Sequence, residues 1–400
     1  MSNQYVYRKA GRPKPSRPGA VLLLFVIILA GLAVYGIFAP KRETSDLENR
    51  RLAQMPAFSA EGLLDGSWAE DFASYLQDQM PFRDGWINAE SAVNNLLFGK
   101  VEESNILLGK DGWMFTRLFT VSSSTQDQLQ RNLNAVTEFA SRYPGRVTFL
   151  LAPSASVIYP EMLPLGAPMV DENAMLDEIF ATVGSAAEVI DLRQTFTDAK
   201  DQYLYFKTDH HWTPQGAYLA YEQFCQRKGL TPFDCSAHES VTIPDFYGTH
   251  YSAARRWNVQ PDSITYYPLD NPMTVYQIDS EAQYTPLYTE PMINTEKFAT
   301  RDKYAAFLDG NNGYSVIEGN GEGSILVVKD SYANSFVPYL TENYAKIGVV
   351  DLRNFNYGLD STIEAEGYAQ ILVLYNFQTF IADNRVVYIN RPTTLETQAE

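Results

Sequence analysis

A run of twenty uncharged residues near the amino terminus constrains this chain more than any other segment. The run, Ala20 to Ala39, consists almost entirely of Leu, Ile, Val, Ala, Gly and Phe. It is long enough to cross a bilayer as one helix, a conformation that satisfies its backbone hydrogen bonds within lipid. Five basic residues and no acidic residue precede it, which predicts a cytoplasmic amino terminus and places the rest of the chain outside the cytoplasm.

A cleaved signal peptide is the alternative for the same residues. The apolar run is longer than a usual signal core, and no clear small-x-small cleavage site precedes Lys41. We therefore predict that residues 1–40 form a basic cytoplasmic tail and an uncleaved transmembrane anchor. Residues 20–39 would contact the membrane.

Charge and cysteine content limit the partners and the cross-links of the chain. The formal net charge is -17, and the first forty residues contribute five positive charges, which leaves -22 for the remainder. This acidity argues against nucleic acid as a partner and fits a solvated surface outside the cytoplasm. The two cysteines, Cys225 and Cys235, are compatible with a local disulfide and equally with two free thiols.

Two regions follow the anchor. Residues 41–105 predict a helical juxtamembrane region, because Ser67 to Gln79 is amphipathic and a second apolar-periodic run ends near Phe98. This region contains no cluster of candidate catalytic residues. Its possible roles are therefore structural packing and contact with a membrane partner. From Ile106 onward strand and helix signals alternate, which predicts an α/β domain over residues 106–400.

The alternation predicts a parallel sheet with helices on both faces. Continuous apolar runs typical of buried strands occur at Val147–Ala152, Glu188–Leu192, Ser324–Val328, Lys346–Leu352 and Ile371–Tyr375. Sheets of this type bind ligands at the carboxyl ends of their strands. Ser154 and Ser156 follow the first of these strands and are therefore candidate site-lining residues, although small residues are also common in ordinary turns.

Residues 236–322 interrupt the alternation. Short period-two runs such as Thr274–Ile278 predict a β-rich insertion or lid, since a structureless connection of this length would be unusual. The tyrosines of this segment fit sugar binding, and they equally fit the small core of an irregular β layer. They are Tyr247, Tyr251, Tyr266, Tyr267, Tyr276, Tyr284 and Tyr288.

Residues 207–216 contain the first half of a candidate active site. Asp209 and His211 are two positions apart, so that in extended backbone they share a face, where the carboxylate accepts from one imidazole nitrogen. Thr213 is a good N-cap and a proline follows it, so we expect a helix from Gln215 to about Arg227. A structural turn with a buried histidine and a two-histidine metal site are the alternatives.

Ser331 provides the second half. It lies where a buried strand turns into a helical segment, and such a turn exposes a serine hydroxyl near backbone N–H groups, as a nucleophile requires. A helix cap made by Asp330 or Ser331 is the alternative, and Ser335 is a weaker candidate nucleophile. Arg353 and Asn376 follow the next two strands and are candidate donors to an oxyanion, although polar residues are also ordinary at strand ends.

Four segments together carry a resemblance to a known family. They are Lys207-Thr-Asp-His-His-Trp-Thr-Pro-Gln-Gly-Ala-Tyr218, Gly109-Lys-Asp-Gly-Trp113, Tyr159-Pro-Glu-Met-Leu-Pro164 and Val328-Lys-Asp-Ser-Tyr-Ala-Asn-Ser-Phe336. The chain thus resembles, over roughly residues 43–390, the DHHW proteins of Gram-positive bacteria. These are relatives of the alginate O-acetyltransferase group and have an SGNH-hydrolase-like fold.

The resemblance implies a Ser-His-Asp triad. Asp209 and His211 would precede Ser331, which reverses the order usual in SGNH hydrolases. The resemblance also suggests further residues that line the site or contact substrate or oxyanion: Tyr332, Arg353, Asn376, His210 and Trp212. No carbohydrate-binding module like that of some alginate relatives follows the predicted sheet, so a polymer would bind the core domain or the tyrosine-rich segment.

We therefore expect a membrane-anchored, extracytoplasmic O-acetyltransferase that modifies a surface or exported polysaccharide. An acetyl-esterase with the same triad and a non-catalytic cell-surface polymer-binding protein are the alternatives. No cofactor and no metal are predicted. The expected partners are a polysaccharide or cell-wall polymer, the membrane, and a multipass membrane acyltransferase, because a cytoplasmic thioester does not cross a membrane unaided.

Overall fold

The computed structural model describes residues 18–45, 47–48, 50–278 and 284–391. The chain forms two compact units, and the first contains the described residues up to Ser45 together with Arg50–Ile87. The second unit contains the remaining described residues. The basic residues that precede the apolar run lie outside the described residues: Arg8, Lys9, Arg12, Lys14 and Arg17.

The first unit is mainly helical. Its helix α1 (Pro18–Phe38) contains one apolar stretch, Gly19–Phe38, that is long and apolar enough to cross a membrane, and an anchor and a signal sequence both fit it. Helix α3 (Ser67–Asp78) confirms the amphipathic helix predicted there. The other elements are β1 (Thr44–Ser45), β2 (Arg50–Arg51), α2 (Ala60–Asp65) and the start of α4 (Arg83–Phe98).

An eight-stranded sheet organises the second unit. The strands of this unit are β3 (Glu102–Glu103), β4 (Ile106–Leu108), β5 (Met114–Thr116), β6 (Val147–Ala152), β7 (Glu188–Asp191), β8 (Val241–Phe246), β9 (Asp262–Tyr266), β10 (Pro272–Ile278), β11 (Tyr284–Pro291), β12 (Tyr314–Glu318), β13 (Ser324–Lys329), β14 (Lys346–Val350) and β15 (Gln370–Asn376). The order in the large sheet is β11-β10-β12-β14-β13-β15-β6-β7. Strands β3–β5 and the pair β8–β9 form two small sheets.

The five strands from β14 to β7 are parallel, and the other three are antiparallel. Those three, β10, β11 and β12, come from the predicted β-rich insertion at residues 236–322. The expected α/β sheet is therefore confirmed, but it is mixed instead of parallel throughout. Part of the predicted insertion extends the main sheet.

Helices cover both faces of this sheet. They are α5 (Ser123–Arg142), α6 (Ala155–Ile158), α7 (Glu172–Val183), α8 (Arg193–Asp198), α9 (Pro214–Lys228), α11 (Leu359–Glu366) and α12 (Phe377–Ala382). Helix α10 (Thr249–Ala254) packs on the small sheet β3–β5 instead. Short 3-10 helices complete the unit at Lys110–Gly112, Pro160–Met162, Lys200–Gln202, Cys235–Ala237, Thr295–Ala299, Lys303–Ala306, Ser331–Ser335, Val337–Glu342 and Val386–Asn390.

Strand β6 shows why both faces need cover. Phe149 and Leu151 pack on one side in a core shared with α5 and α7, and Leu150 and Ala152 pack on the other in a core shared with α9. Alternate residues of a strand face opposite sides of a sheet. Because burial of a Phe or Leu side chain contributes about 1.5–3 kcal/mol, a strand that is apolar at every position is stable only between two covered faces.

The parallel strands bring distant segments to one edge of the sheet. Strands β6, β13, β14 and β15 run in the same direction, so that the residues following each of them lie at the same end. These residues include Ser154, Ser331 and Arg353, and Asn376 is the last residue of β15 at the same end. Ligands of open α/β sheets bind at this carboxyl edge.

Both cysteines are free thiols. Cys225 is buried in α9, and Cys235 is partly buried in a 3-10 turn. The sequence allowed either a disulfide or two free thiols, and the structure has two free thiols.

Candidate active site

The Asp-His-His-Trp loop is a tight turn instead of an extended segment. An isolated antiparallel bridge joins Tyr205 to Trp212 and closes the loop, and the His211 N–H donates to Asp209 Oδ1 at 2.9 Å. The extended backbone expected for Asp209 and His211 is therefore wrong, because an aspartate side chain can hold the N–H two residues on in a turn. The contact between these two residues nevertheless forms. Thr213 caps α9 as predicted and accepts from the Gly216 N–H at 3.2 Å.

Three polar side chains form a continuous hydrogen-bonded chain. Asp209 Oδ1 lies 2.5 Å from His211 Nδ1, and His211 Nε2 lies 2.7 Å from Ser331 Oγ. His211 and Ser331 are 120 residues apart in sequence, and the fold of the second unit brings them together. This geometry fits a nucleophile, a base and a residue that orients the base. Catalytic roles for the three residues stay predictions.

The Asp209 carboxylate is held by a residue that the sequence did not suggest. Its Oδ2 accepts from the Thr249 N–H at 2.6 Å and from the Thr249 hydroxyl at 3.0 Å. Burial opposes the charge on Asp209, but His211, His210 and these donors outweigh it and keep the Asp209 pKa well below its usual value. Gly248 permits the close approach, because a Cβ there would lie 2.1 Å from the Asp209 Cβ.

The turn that carries Ser331 is fixed by Asp330. Asp330 Oδ1 accepts from the Tyr332 N–H at 2.9 Å and caps the 3-10 helix Ser331–Ser335. Its Oδ2 accepts from the Asn376 backbone N–H at 2.8 Å and from the Asn376 amide at 2.5 Å. Asp330 therefore performs the capping role considered in the sequence, and the Ser331 hydroxyl contacts His211 instead.

The two predicted strand-end donors are already engaged. The Asn376 amide nitrogen donates to Asp330 and to the Thr379 hydroxyl at 2.7 Å, which accounts for both of its hydrogens. Arg353 donates to both carboxylate oxygens of Asp351, at 2.8 and 2.5 Å. In this geometry the two residues support the edge of the sheet, and their predicted contact with an oxyanion stays a prediction.

The remaining motif residues surround His211. Trp212 is fully buried, and its indole N–H donates to the Tyr332 carbonyl at 2.8 Å. The Tyr332 hydroxyl donates to the His210 carbonyl. His210 Nδ1 lies 2.6 Å from the Thr249 hydroxyl, and desolvation together with the neighbouring His211 lowers the His210 pKa. Trp212 therefore supports the loop from the core.

A small cleft opens beside the chain of polar residues. Its lining includes His210 and Tyr332 together with Ser154 and Ser156, the two serines that the sequence suggested. The other lining residues are Phe115, Thr116, Ala155, His250 and Gln378. Behind the cleft, Glu172 accepts from the Ser154 N–H at 2.7 Å, and burial raises the Glu172 pKa to about 7. Ser335 does not line this cleft.

Sequence reasoning missed Thr249, His250 and Tyr304. The Tyr304 ring stacks on His211 with 3.9 Å between ring centroids. All three residues lie within the β-rich segment, outside any recognisable motif, and they reach the site only through tertiary folding. The Gly248-Thr249 pair is the one local signal, since a glycine suits a close approach between two chain segments, and this one precedes the first residue of α10.

Asp209, His210 and His211 also meet the spacing of a metal site. Each offers one ligand atom, and these atoms lie within 4.8 Å of one another. The Asp209 oxygens, both His211 ring nitrogens and His210 Nδ1 already take part in the hydrogen bonds described above. A metal ion would have to replace those bonds, since a ligating imidazole nitrogen must be unprotonated.

Two family models match the second unit. The DHHW protein family matches residues 177–350, and the SGNH hydrolase-like domain of the acetyltransferase AlgX matches residues 106–239. A Pseudomonas aeruginosa protein named "Probable alginate O-acetylase AlgJ" is 27% identical over 232 residues, 55% of this chain and 56% of that protein. Its Pseudomonas syringae counterpart is 25% identical over 167 residues, 40% and 42% of the two chains. This chain therefore spans about half the length of these relatives, or less.

Solved structures share the fold. A DHHW family protein from Eubacterium siraeum has a TM-score of 0.60 at 23% identity, covering 74% of this chain and 98% of that one. Bacillus cereus PatB1, determined with a sulfonyl adduct, has a TM-score of 0.57 at 20% identity, covering 72% and 98%. The matches establish the relationship of the α/β unit. Over its α/β unit this chain is similar to the DHHW protein family and to the SGNH hydrolase-like domain of AlgX, and it is distantly related to the alginate O-acetylases.

Proposed function

We propose that this protein is a membrane-anchored, extracytoplasmic O-acetyltransferase that acts on a surface or exported polysaccharide. The observation that carries the proposal is the unbroken contact from Asp209 through His211 to Ser331. The relationship to SGNH-like O-acetyltransferases supports the reaction class. The polysaccharide acceptor is inferred from the alginate O-acetylases among the relatives.

In the proposed reaction Ser331 is acetylated and then deacetylated. His211 Nε2 takes the proton from the Ser331 hydroxyl as its oxygen attacks the carbonyl carbon of an acetyl donor, and the donor's leaving group departs with a proton from His211. A sugar hydroxyl then gives its proton to His211 as its oxygen attacks the acetyl carbon of the acetyl-serine. The bond from that carbon to Ser331 Oγ breaks, His211 returns the proton to Ser331 Oγ, and the acetylated sugar is released. Asp209 stabilises the imidazolium that forms in each half of the reaction.

The cleft lined by His210 and Tyr332 also contains candidate donors for the oxyanion. Ser154, Ser156 and Gln378 line it, and neutral hydroxyl and amide donors of this type stabilise charge that develops on a carbonyl oxygen. We assign acetyl binding to this cleft because it is small and begins next to His210 and Tyr332.

The anchor gives the reaction a location. Helix α1 would hold the second unit at the extracytoplasmic surface of the membrane. A multipass membrane acyltransferase can deliver acetyl groups from the cytoplasm to this surface. The exposed apolar side chains of α4, among them Leu96, Leu97 and Phe98, are consistent with a location at a membrane surface.

An acetyl-transfer assay tests the proposal. With an activated acetyl ester and candidate glycans, we expect acetylated sugar to form faster than free acetate; the reverse would mark an acetyl-esterase. Ser331→Ala and His211→Ala should abolish both products, and Asp209→Asn should lower the rate by about 10³- to 10⁴-fold, because asparagine holds His211 in the wrong tautomer. Ser324→Ala, at the opposite end of β13, is the matched control and should retain activity.

The same variants can also disprove the proposed catalytic function. If wild type and Ser331→Ala release acetate equally and neither acetylates a glycan, Ser331 is not the nucleophile. A non-catalytic polymer-binding role would then account better for the protein. The 2.7 Å contact between His211 Nε2 and Ser331 Oγ argues against that role, because polymer binding alone does not require a serine within hydrogen-bond reach of a base.

A further inference from the structure

Tyr304 lies face to face with His211. The two rings are nearly parallel, with an interplanar angle of 15° and 3.9 Å between centroids. Tyr304 belongs to the 3-10 helix Lys303–Ala306, and it is 4% exposed. An aromatic ring at this distance restricts rotation of the imidazole about its bond to Cβ, because any large rotation would bring the rings into collision.

The hydroxyl of the same tyrosine reaches the turn that carries Ser331. It donates to the Ser331 carbonyl at 3.2 Å and lies 3.0 Å from the Ser335 hydroxyl. Burial raises the Tyr304 pKa well above its usual value, so that the hydroxyl keeps its proton and remains a donor. One side chain therefore contacts both the imidazole ring and the backbone of the serine.

The face of the Tyr304 ring also matters for charge. When His211 takes the Ser331 proton it becomes an imidazolium, and the face of an aromatic ring attracts a cation placed over it. This attraction exists only while the imidazole is charged. It therefore lowers the energy of the charged intermediate and of the transition states around it more than that of the resting site.

We propose that Tyr304 is a positioning residue that holds His211 Nε2 toward Ser331 Oγ and stabilises the imidazolium formed during acetyl transfer. The proposal rests on the proposed function. Tyr304 acts through His211 and through the Ser331 turn, and it takes no proton itself. Asp209 thus fixes the edge of the imidazole ring through its contact with Nδ1, and Tyr304 fixes the face of the ring by stacking.

A purely structural role is the competing explanation. Tyr304 also packs against Phe206 and Phe307, with 6.4 and 5.5 Å between ring centroids. Loss of that packing would lower stability without a selective effect on kcat. Phe307 is the matched control, because it is 2% exposed and packs on Tyr304 from the same core.

The test compares Tyr304→Phe, Tyr304→Leu and Phe307→Leu in the full chain. Release of nitrophenol from p-nitrophenyl acetate gives kcat and KM, and phenylmethanesulfonyl fluoride labelling gives the reactivity of Ser331. Tyr304→Leu should lower kcat and the labelling rate about 10- to 30-fold, with KM unchanged within about twofold. Tyr304→Phe keeps the ring face and should lose only about threefold, because one hydrogen bond to the serine turn is removed.

Phe307→Leu should lower the melting temperature and leave kcat within about twofold of wild type. Equal kcat values for Tyr304→Leu and wild type would overturn the positioning role. So would equal losses in kcat for Tyr304→Leu and Phe307→Leu, or for Tyr304→Leu and Tyr304→Phe.

Nuclear magnetic resonance of the histidine ring protons separates this inference from the proposed function. A stacked Tyr304 shifts the His211 ring protons upfield in the wild type, and Tyr304→Leu should abolish the shift. If the shift is absent from the wild type while Ser331 is still acylated, the positioning role is wrong and the proposed function stands. If the shift is present but Ser331 is never acylated, the proposed function fails and this role fails with it.

Discussion

At the scale of single residues, Glu172 connects stability to pH. It is a buried carboxyl group whose partner is the Ser154 N–H, and burial raises its pKa from 4.5 to about 7. Between those two pH values the folded protein keeps a proton that the unfolded chain has released. Stability therefore falls as the pH rises through this window, and the loss is complete above about pH 7.

Replacement of Glu172 by Gln removes this titration. The amide oxygen of Gln can still accept from the Ser154 N–H, so we expect Glu172→Gln to gain about 2–3 kcal/mol relative to wild type between pH 4.5 and pH 8. Urea unfolding at both pH values measures the difference. Glu178→Gln, an exposed position on the same helix, should show no such gain. A gain of equal size at both pH values would mean that Glu172 does not titrate in this range.

The residues of the polar chain were predictable from the sequence, and those that hold them were not. Asp209, His211 and Ser331 lie in short motifs whose residue types indicate acid–base chemistry. Thr249 and Tyr304 are ordinary residue types, and their effect depends on which atoms lie within about 4 Å of them in the folded protein. Single-residue chemistry therefore identifies the candidate reacting groups but not the contacts that orient them.

At the scale of secondary-structure elements, the turn after β13 depends on Asp330. Replacement of Asp330 by Ala would leave the Tyr332 N–H and both Asn376 donors without their acceptor in a buried region. We expect Asp330→Ala to lower the free energy of unfolding by about 2–4 kcal/mol, the cost of leaving such groups unpaired. It should also slow acylation of Ser331, because the cap that fixes the start of its 3-10 helix is lost.

Urea unfolding and the rate of serine labelling measure the two effects of Asp330→Ala. Asp198→Ala is the matched control, since Asp198 is exposed and its carboxylate accepts from the Gln194 amide at 2.7 Å. Asp198→Ala should change the free energy of unfolding by less than about 0.5 kcal/mol. If Asp330→Ala unfolds like Asp198→Ala, the link between β13 and β15 through Asp330 and Asn376 is not a stabilising one.

Strands with continuous apolar runs were predicted closely, and strand direction was not. The predicted strand Val147–Ala152 matches β6, because burial on both faces favours apolar side chains at nearly every position, with Thr148 as the exception. Strands β10, β11 and β12 join the sheet antiparallel, and their period-two pattern gives no information on which edge they join. The turn at the Asp-His-His-Trp loop was not predicted either. The bridge between Tyr205 and Trp212 closes this loop, and the local sequence pattern does not show which chain segments pair.

At the scale of the whole molecule, the proposed orientation in the membrane is testable on cells. If α1 is an anchor with its amino terminus in the cytoplasm, protease added to intact cells should cut after residue 41, and the full-length chain should sediment with membranes. A cytoplasmic protein probed in the same sample should stay intact. Cleavage only after lysis would reverse the orientation, and release of a shortened chain into the medium would identify α1 as a signal sequence.

The site draws its parts from both sides of the β-rich segment and from within it. His211 precedes this segment, Ser331 follows it, and Thr249 and Tyr304 lie inside it. The β-rich segment therefore cannot be replaced without an effect on the site. A chimera that receives the corresponding segment of a relative would keep all three residues of the polar chain, yet it would lose the supports of Asp209 and His211 unless the donor segment brings its own. Sequence change in this segment is constrained by the same requirement at Thr249 and Tyr304.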